Sequence, residues 1–388
     1  MTAASLRVAM VGNGFMGAAH SQGWRVAPRF FELAATPETT VLVGRDEHRV
    51  AAAADNWGWH ETSTSWRDTI ARDDIDVVDI VTPGDSHAEI AIAALEAGKH
   101  VLCEKPLANT VAEAEAMAAA AERATEQGIR AMVGFTYRRV PAVTFARDLV
   151  AAGRIGQVRQ VRAVYLQDWL RDAESPMTWR LDKTRAGSGA LGDIGAHAVD
   201  LAQFVTGRQL ASVSGVLETL VAERPLLAEG RGLSGTAAAE RGQVTVDDVA
   251  LFTGRFDDGV LGSFEATRFS TGRKNALRLE VSGSDGAIAF NLEDLNSLQF
   301  YDATADPAVQ GFTKVLVTEP EHPYVSAWWP AGHMLGYEHG FSHQARDFVD
   351  AIVRGEQPRP SFADGLQVQR VLDAVETSSG AGSAWTAV

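Results

Sequence analysis

Apolar and polar positions recur along this chain with two different periods. Short apolar runs at 6–11, 40–43, 77–81, 100–103 and 130–135 are bounded by glycine, proline or charge, which predicts buried strands. Between them, 47–56, 65–71, 86–97 and 110–127 repeat their apolar residues at helical spacing. Strand and helix in alternation predict a doubly wound parallel sheet of the Rossmann type, with helices on both faces, over residues 1–134. After Phe135 the rhythm changes. A helix at 142–152 leads into longer alternating stretches at 158–168, 249–256, 259–269 and 277–282. Asp257-Asp258-Gly259 and Ser284-Asp285-Gly286 read as hairpin turns. Helices follow at 340–354 and 362–379. The fold class is therefore α/β, with residues 135–388 forming an α+β domain on a mostly antiparallel open sheet. The stretch 207–243 is glycine-containing and without clear period, and its later part reads as a loop.

In such parallel sheets ligands bind at the carboxyl ends of the strands. The first strand runs into Gly12-Asn13-Gly14-Phe15-Met16-Gly17 and then a helix, the strand–loop–helix setting of a dinucleotide fingerprint. Gly12 permits a tight turn, Gly14 permits close backbone approach to a pyrophosphate, and Gly17 permits helix to pack on strand. The second strand ends at Gly44-Arg45-Asp46 rather than in a carboxylate. An acid there would bond the NAD ribose, whereas glycine followed by arginine suits a 2′-phosphate. The expected cofactor is therefore NADP or NAD, with the preference to NADP. Two further loops lie at strand ends: Thr82-Pro83 with His87 nearby, and Glu104-Lys105-Pro106. The latter places an acid and an amine at the mouth of a buried strand and stiffens the next turn with proline.

The second region carries Gly187-Ser188-Gly189-Ala190 and then Asp193, His197 and Asp200, spaced i, i+4, i+7. On a helix these share one face. His197 is a candidate general base, Asp193 is equally a helix-terminal partner, and Asp200 is equally a structural acid. No second His or Cys cluster completes a metal site. Tyr137, Arg138, Gln167, Asp168, Trp169, Trp179, Arg180 and His339 offer the polar edges and aromatic faces that line a polyol pocket.

Composition narrows the partners. The 388 residues exceed one ordinary core, and 35 basic against 50 acidic side chains leave a net charge of −15. That balance disfavours nucleic acid and anionic membranes as partners. The lone Cys103 and the absence of a leader-like N-terminus point to the cytoplasm.

In sum of motifs, the chain resembles the Gfo/Idh/MocA oxidoreductases. The resemblance rests on Gly12-x-Gly14-x-x-Gly17, Thr82-Pro83 with His87, Glu104-Lys105-Pro106, Tyr137-Arg138, and Gly192-Asp193-Ile194-Gly195-x-His197-x-x-Asp200. Tyr165-Leu166-Gln167-Asp168-Trp169 and Gly187-Ser188-Gly189-Ala190 look most like the levoglucosan dehydrogenase branch. The resemblance implies two domains, NAD or NADP, and hydride transfer at a sugar or cyclitol carbon by a homodimer or homotetramer. It maps the catalytic roles onto Lys105, Asp193 and His197, and the cofactor contacts onto the glycine loop and Glu104. A sugar-responsive sensor on the same fold, or a glycosidase using transient oxidation, are the alternatives; a sensor can dispense with Lys105 and His197, and this chain keeps both.

Overall fold

The computed structural model describes residues 4–231 and 234–388. Expectations touching 1–3 and 232–233 lie outside the described residues. The chain divides into two units: Met1–Thr136 with Gly336–Leu366, and Tyr137–Leu335 with Gln367–Val388. The expected second region, 135–388, is thus not a single unit, because a late helix returns to the first core.

The first unit is built on strands β1 (Ala4–Val11), β2 (Ala35–Val43), β3 (Glu61–Ser63), β4 (Val77–Ile80), β5 (His100–Cys103) and β6 (Ala131–Val133). They pair in the order β3-β2-β1-β4-β5-β6, every pair parallel. Helices α1 (Phe15–Phe30), α2 (Glu47–Trp57), α3 (Trp66–Ile70), α4 (His87–Glu96) and α5 (Val111–Glu126) connect them. Their ends follow local chemistry. Asp46 caps α2 by accepting from the Arg49 N–H, and Thr110 and Glu113 form a reciprocal capping box on α5. The short edge strand β3 has no apolar run of its own and is held by pairing to β2. The core gathers Val8, Met10, Trp24, Leu42, Leu102 and Met132 with Ala345, Phe348 and Val349. Those last three come from the late helix His339–Arg354, whose apolar stripe has its partners here. Gly23 on α1 admits that helix closely: a Cβ there would stand 2.7 Å from the Phe341 carbonyl oxygen.

The second unit opens with a helical turn and α6 (Pro141–Ala151), followed by β7 (Val158–Leu166), α7 (Lys183–Ala186), a π-helical turn at Leu191–Gly195, and α8 (Ala196–Thr206). The remaining strands are β8 (Leu210–Glu218), β9 (Glu223–Arg231), β10 (Ser234–Gln243), β11 (Val249–Phe256), β12 (Leu261–Thr267), β13 (Ala276–Gly283), β14 (Gly286–Asn291), β15 (Ser297–Asp302), β16 (Thr313–Leu316) and β17 (Thr386–Ala387). Among the described residues they form a nine-stranded sheet, β16-β15-β14-β13-β7-β12-β11-β8-β17, beside the two-stranded ribbon β10-β9. Only β7 and β12 pair in parallel within that sheet. Both hairpin turns occur as expected, joining β11 to β12 and β13 to β14. The loop expected late in 207–243 is corrected: residues 223–231 and 234–243 pair as antiparallel strands. Apart from Pro225, Leu226 and Leu227 their side chains are small, polar or charged and carry no alternation, and the ribbon rests on backbone pairing and on the buried Arg224.

Candidate functional site

In the first unit four loops sit at the carboxyl ends of neighbouring strands. Backbone bonds fix them: Gly12 N to Val43 O at 2.9 Å, Val81 N to Val11 O at 3.0 Å, and Glu104 N to Ile80 O at 2.9 Å. Gly12 has φ +120°, and a Cβ there would stand 2.9 Å from the Val81 carbonyl oxygen, so only glycine turns here. A Cβ on Gly17 would come 2.7 Å from the Gly12 carbonyl oxygen. Gly14 differs. Its Cβ position meets no protein atom within 4 Å. It starts α1 without a side-chain cap, and no acid occupies the first turn. The N–H groups of that turn, with vacant space in front of Gly14, fit a pyrophosphate. Phe15 beside it is 56% exposed. Asn13 lies in the loop, and Phe15 and Met16 open the first turn of α1.

The structure gives Gly44 a packing cause. Its Cβ would stand 3.1 Å from both Asn13 Oδ1 and Val50 Cβ. The absence of an acid at 44 therefore says little about a 2′-phosphate. Arg45 next to it is exposed, and Asp46 is the cap of α2.

His87 is buried and braces two loops. Its Nδ1 lies 3.0 Å from the Pro106 carbonyl oxygen and its Nε2 2.9 Å from the Thr82 carbonyl oxygen. Thr82 Oγ1 accepts from Ser86 Oγ at 2.7 Å, and Pro83 precedes that turn. His87 thus ties the Thr82–Pro83 loop to the Glu104-Lys105-Pro106 turn rather than presenting its ring outward. Glu104 is buried; its Oε2 accepts the Lys105 backbone N–H at 3.1 Å. Lys105 itself is half-buried.

In the second unit the ring of His197 meets two tyrosines that begin a hydrogen-bonded chain of side chains. Trp169 Nε1 donates to Gln167 Oε1 at 2.9 Å, and Gln167 Nε2 donates to Asn275 Oδ1 at 2.8 Å. Tyr165 OH donates to the same Asn275 oxygen at 2.6 Å and lies 2.9 Å from Tyr137 OH. The His197 ring centre is 4.6 Å from that of Tyr137 and 6.0 Å from that of Tyr165. Tyr165 and Asn275 are absent from the sequence-based set. Strand alternation holds the signal for Tyr165, which lies near the end of β7 two residues before Gln167. Asn275 has no such signal; it is 108 residues from Gln167.

Asp193 sits in the π-helical turn and His197 near the start of α8. Asp200, further along α8, is buried against Arg138. Asp193 lies 3.5 Å from the fully buried Arg268 guanidinium. Arg268 also donates to the Asp247 carbonyl at 3.3 Å, and its guanidinium carbon is 5.5 Å from the Trp169 ring centre. Asp247 holds the preceding glycine loop, accepting from Gly189 N at 2.6 Å and Leu191 N at 2.8 Å. Burial pushes its carboxyl above the usual range, against these bonds and the Arg268 charge. A Cβ on Gly189 would stand 1.8 Å from the Asp247 carbonyl oxygen, so that loop requires glycine.

Several expected pocket residues are committed elsewhere. Arg138 pairs with Asp200, both buried, through contacts of 2.9 and 3.1 Å from its Nε. Asp168 accepts from Lys274 Nζ at 2.8 Å and Gly272 N at 3.0 Å; the lysine bond, then the backbone bond, hold its carboxyl below the usual range. Arg180 covers the Trp179 ring at 4.5 Å. His339 belongs to the first unit, where its Nδ1 accepts from Gly336 N at 2.9 Å; burial lowers its pKa.

Comparison with known proteins agrees with this arrangement. Residues 6–135 match the oxidoreductase family with an NAD-binding Rossmann fold, and residues 143–289 match the GFO/IDH/MocA C-terminal domain. Levoglucosan dehydrogenase of Pseudarthrobacter phenanthrenivorans is 42% identical over 99% of this chain and 98% of its own length. A crystal structure of an oxidoreductase domain protein from Kribbella flavida superposes with TM-score 0.95 at 63% identity, covering 100% of both chains. A levoglucosan dehydrogenase solved in complex with NADH gives TM-score 0.93 at 42% identity, covering 99% of both chains. A parallel sheet whose glycine turn leaves room for a dinucleotide, joined to a mostly antiparallel unit and matched along its length by these relatives, identifies the chain as a member of the Gfo/Idh/MocA oxidoreductase family.

Proposed function

We propose that this oxidoreductase moves a hydride between nicotinamide and a secondary alcohol of a sugar, anhydrosugar or cyclic polyol. The hydroxyl- and amide-rich chain Tyr137–Tyr165–Asn275–Gln167–Trp169 beside His197 carries this reading. It offers donors, acceptors and three aromatic rings to a small polyol. The levoglucosan dehydrogenase relative, which this chain matches nearly end to end, supports an anhydrosugar as the first substrate to try. Bound dinucleotide would supply the hydride acceptor. Gly12, Asn13, Gly14, Phe15, Met16 and Gly17 would receive its pyrophosphate, and Thr82, Pro83 and Glu104 would lie along it, with His87 bracing the loops.

For oxidation, His197 takes the hydroxyl proton as the carbinol carbon gives up its hydride, leaving a ketone. Lys105 hydrogen-bonds the reacting oxygen and stabilises its developing charge. Asp193, backed by Arg268, orients the sugar. The relative solved with NADH favours NAD(H); the exposed Arg45 supports use of NADP as the second reading. The exposed Val216 and Leu251, paired on adjacent strands, support self-association. The single cysteine is buried and free, which supports a reducing, cytoplasmic setting.

The test is reduced-nicotinamide absorbance with levoglucosan, other anhydrosugars, aldoses and inositols against both cofactors. One of these should be oxidised, and Lys105→Met should lower its kcat by about two to four orders of magnitude with cofactor affinity retained. No turnover on any polyol would end this reading; full kcat in the variant would end the role of Lys105.

A further inference from the structure

His20 and Asp79, buried beside Glu104, play no part in the roles assigned so far. His20 projects from α1, 2% exposed, between two carboxylates. Its Nδ1 lies 2.9 Å from Asp79 Oδ2 and 3.0 Å from Oδ1, and its Nε2 lies 2.9 Å from Glu104 Oε1. Asp79, on β4, is fully buried and also accepts from Trp24 Nε1 at 2.7 Å. Phe341 covers the ring at 5.3 Å between centres. Cys103, beside Glu104, is kept as a thiol: burial and then the two carboxylates raise its pKa well above the usual value.

A neutral imidazole has one N–H. Here both ring nitrogens meet carboxylate oxygens, so a neutral ring would point a lone pair at an anion in a buried site, a costly arrangement. An imidazolium satisfies both. Burial alone would drive the proton off, but the charge and hydrogen bond of Asp79, then those of Glu104, push the His20 pKa up to about 10. The consequence reaches Lys105. Glu104 is held at both oxygens, Oε1 by His20 and Oε2 by the Lys105 backbone N–H. Its room is tight: a Cβ on Gly134 would stand 2.6 Å from Oε1.

We propose that His20 is a positioning residue: as an imidazolium bridging Asp79 and Glu104, it locks the Glu104 carboxylate beneath the Lys105 turn and ties that turn to the helix that begins at the glycine loop. This rests on the role given to Lys105 above. Neither the glycine loop nor the Lys105 turn is then set alone; a shift in α1 is carried through His20 and Glu104 to the lysine.

The test is a double-mutant cycle on the full-length enzyme with saturating sugar and cofactor. His20→Gln should lower kcat roughly 10–100-fold, the range of a misplaced catalytic group, while the Kd of reduced cofactor changes less than about threefold. In a Lys105→Met background the same His20 change should have almost no further effect on kcat, because its target is gone. If Lys105→Met lowers kcat and His20→Gln does not, or if the two losses simply multiply, His20 is structural only. If Lys105→Met leaves kcat intact, it is the lysine assignment that fails. Nitrogen-15 spectra of the histidine-labelled parent give an independent readout should His20→Gln not fold. At pH 8.5 one ring should still carry protons on both nitrogens while exposed histidines are neutral. A spectrum without such a ring overturns the proposal.

Discussion

Arg138→Met tests whether Arg138 faces the sugar or holds the second unit together. Its guanidinium contacts Asp200 at 2.9 and 3.1 Å through Nε and at 2.5 Å through Nη2. The side chains are 9% and 1% exposed, and the guanidinium lies 5.0 Å from the Phe204 ring centre. Methionine fills much of the space but leaves the Asp200 carboxylate buried without its guanidinium. Removing one partner of a buried ion pair costs about 3–5 kcal/mol, far more than the loss of a surface pair. For folded units of roughly 150–250 residues that corresponds to a fall in Tm of roughly 6–20 °C. Arg138→Met/Asp200→Leu should regain most of it, since apolar replacement of a whole buried pair is near neutral. The assay is thermal unfolding by near-ultraviolet circular dichroism, with steady-state kinetics at a temperature where all variants are folded. There the sugar KM of Arg138→Met should stay within about threefold of the parent, because the guanidinium is spent on Asp200. A Tm fall under about 2 °C together with a large rise in KM would refute the reasoning and return Arg138 to the substrate pocket.

Three further outcomes follow from the same structure. In alcohol oxidation, kcat/KM should rise with pH through one ionisation, and His197→Asn should abolish that limb with most of the rate; an unchanged pH profile would move the proton acceptor elsewhere. Gly17→Ala places a methyl 2.7 Å from the Gly12 carbonyl oxygen and 3.2 Å from Trp57, so it should destabilise by about 1–3 kcal/mol and weaken reduced-cofactor binding by fluorescence titration; parental values for both would show that the turn relaxes freely. Because the folded pKa of His20 is raised from 6.5 to about 10, its contribution to stability is fully present below pH 6.5 and is lost as the pH climbs toward 10. Urea midpoints should fall across that window in the parent and fall less in His20→Gln; equal slopes would contradict a raised His20 pKa.

The local devices were legible in the sequence because their causes are local. The apolar run of β1, the glycine turn and the helix behind it are set by conformational freedom and short-range packing. Gly12, with its positive φ and the Val81 carbonyl against it, does what its position in the motif predicts. The two hairpin turns are legible for the same reason. Tertiary structure decided what depends on a partner distant in the chain. His339–Arg354 reads as an amphipathic helix, but its face could not say that Trp24 and Leu42 would cover it. The ribbon of β9 and β10 rests on backbone pairing and on the buried Arg224, which leave no alternation to read. Gly44 looked like a choice of cofactor until Asn13 and Val50 stood 3.1 Å from its Cβ position. Arg138 looked available for a ligand, and its guanidinium pairs with Asp200, 62 residues along the chain. Asn275 joins Tyr165 and Gln167 only because β13 pairs with β7. Residue chemistry and spacing specify which groups are offered; burial and long-range pairing determine which of them remain for a substrate.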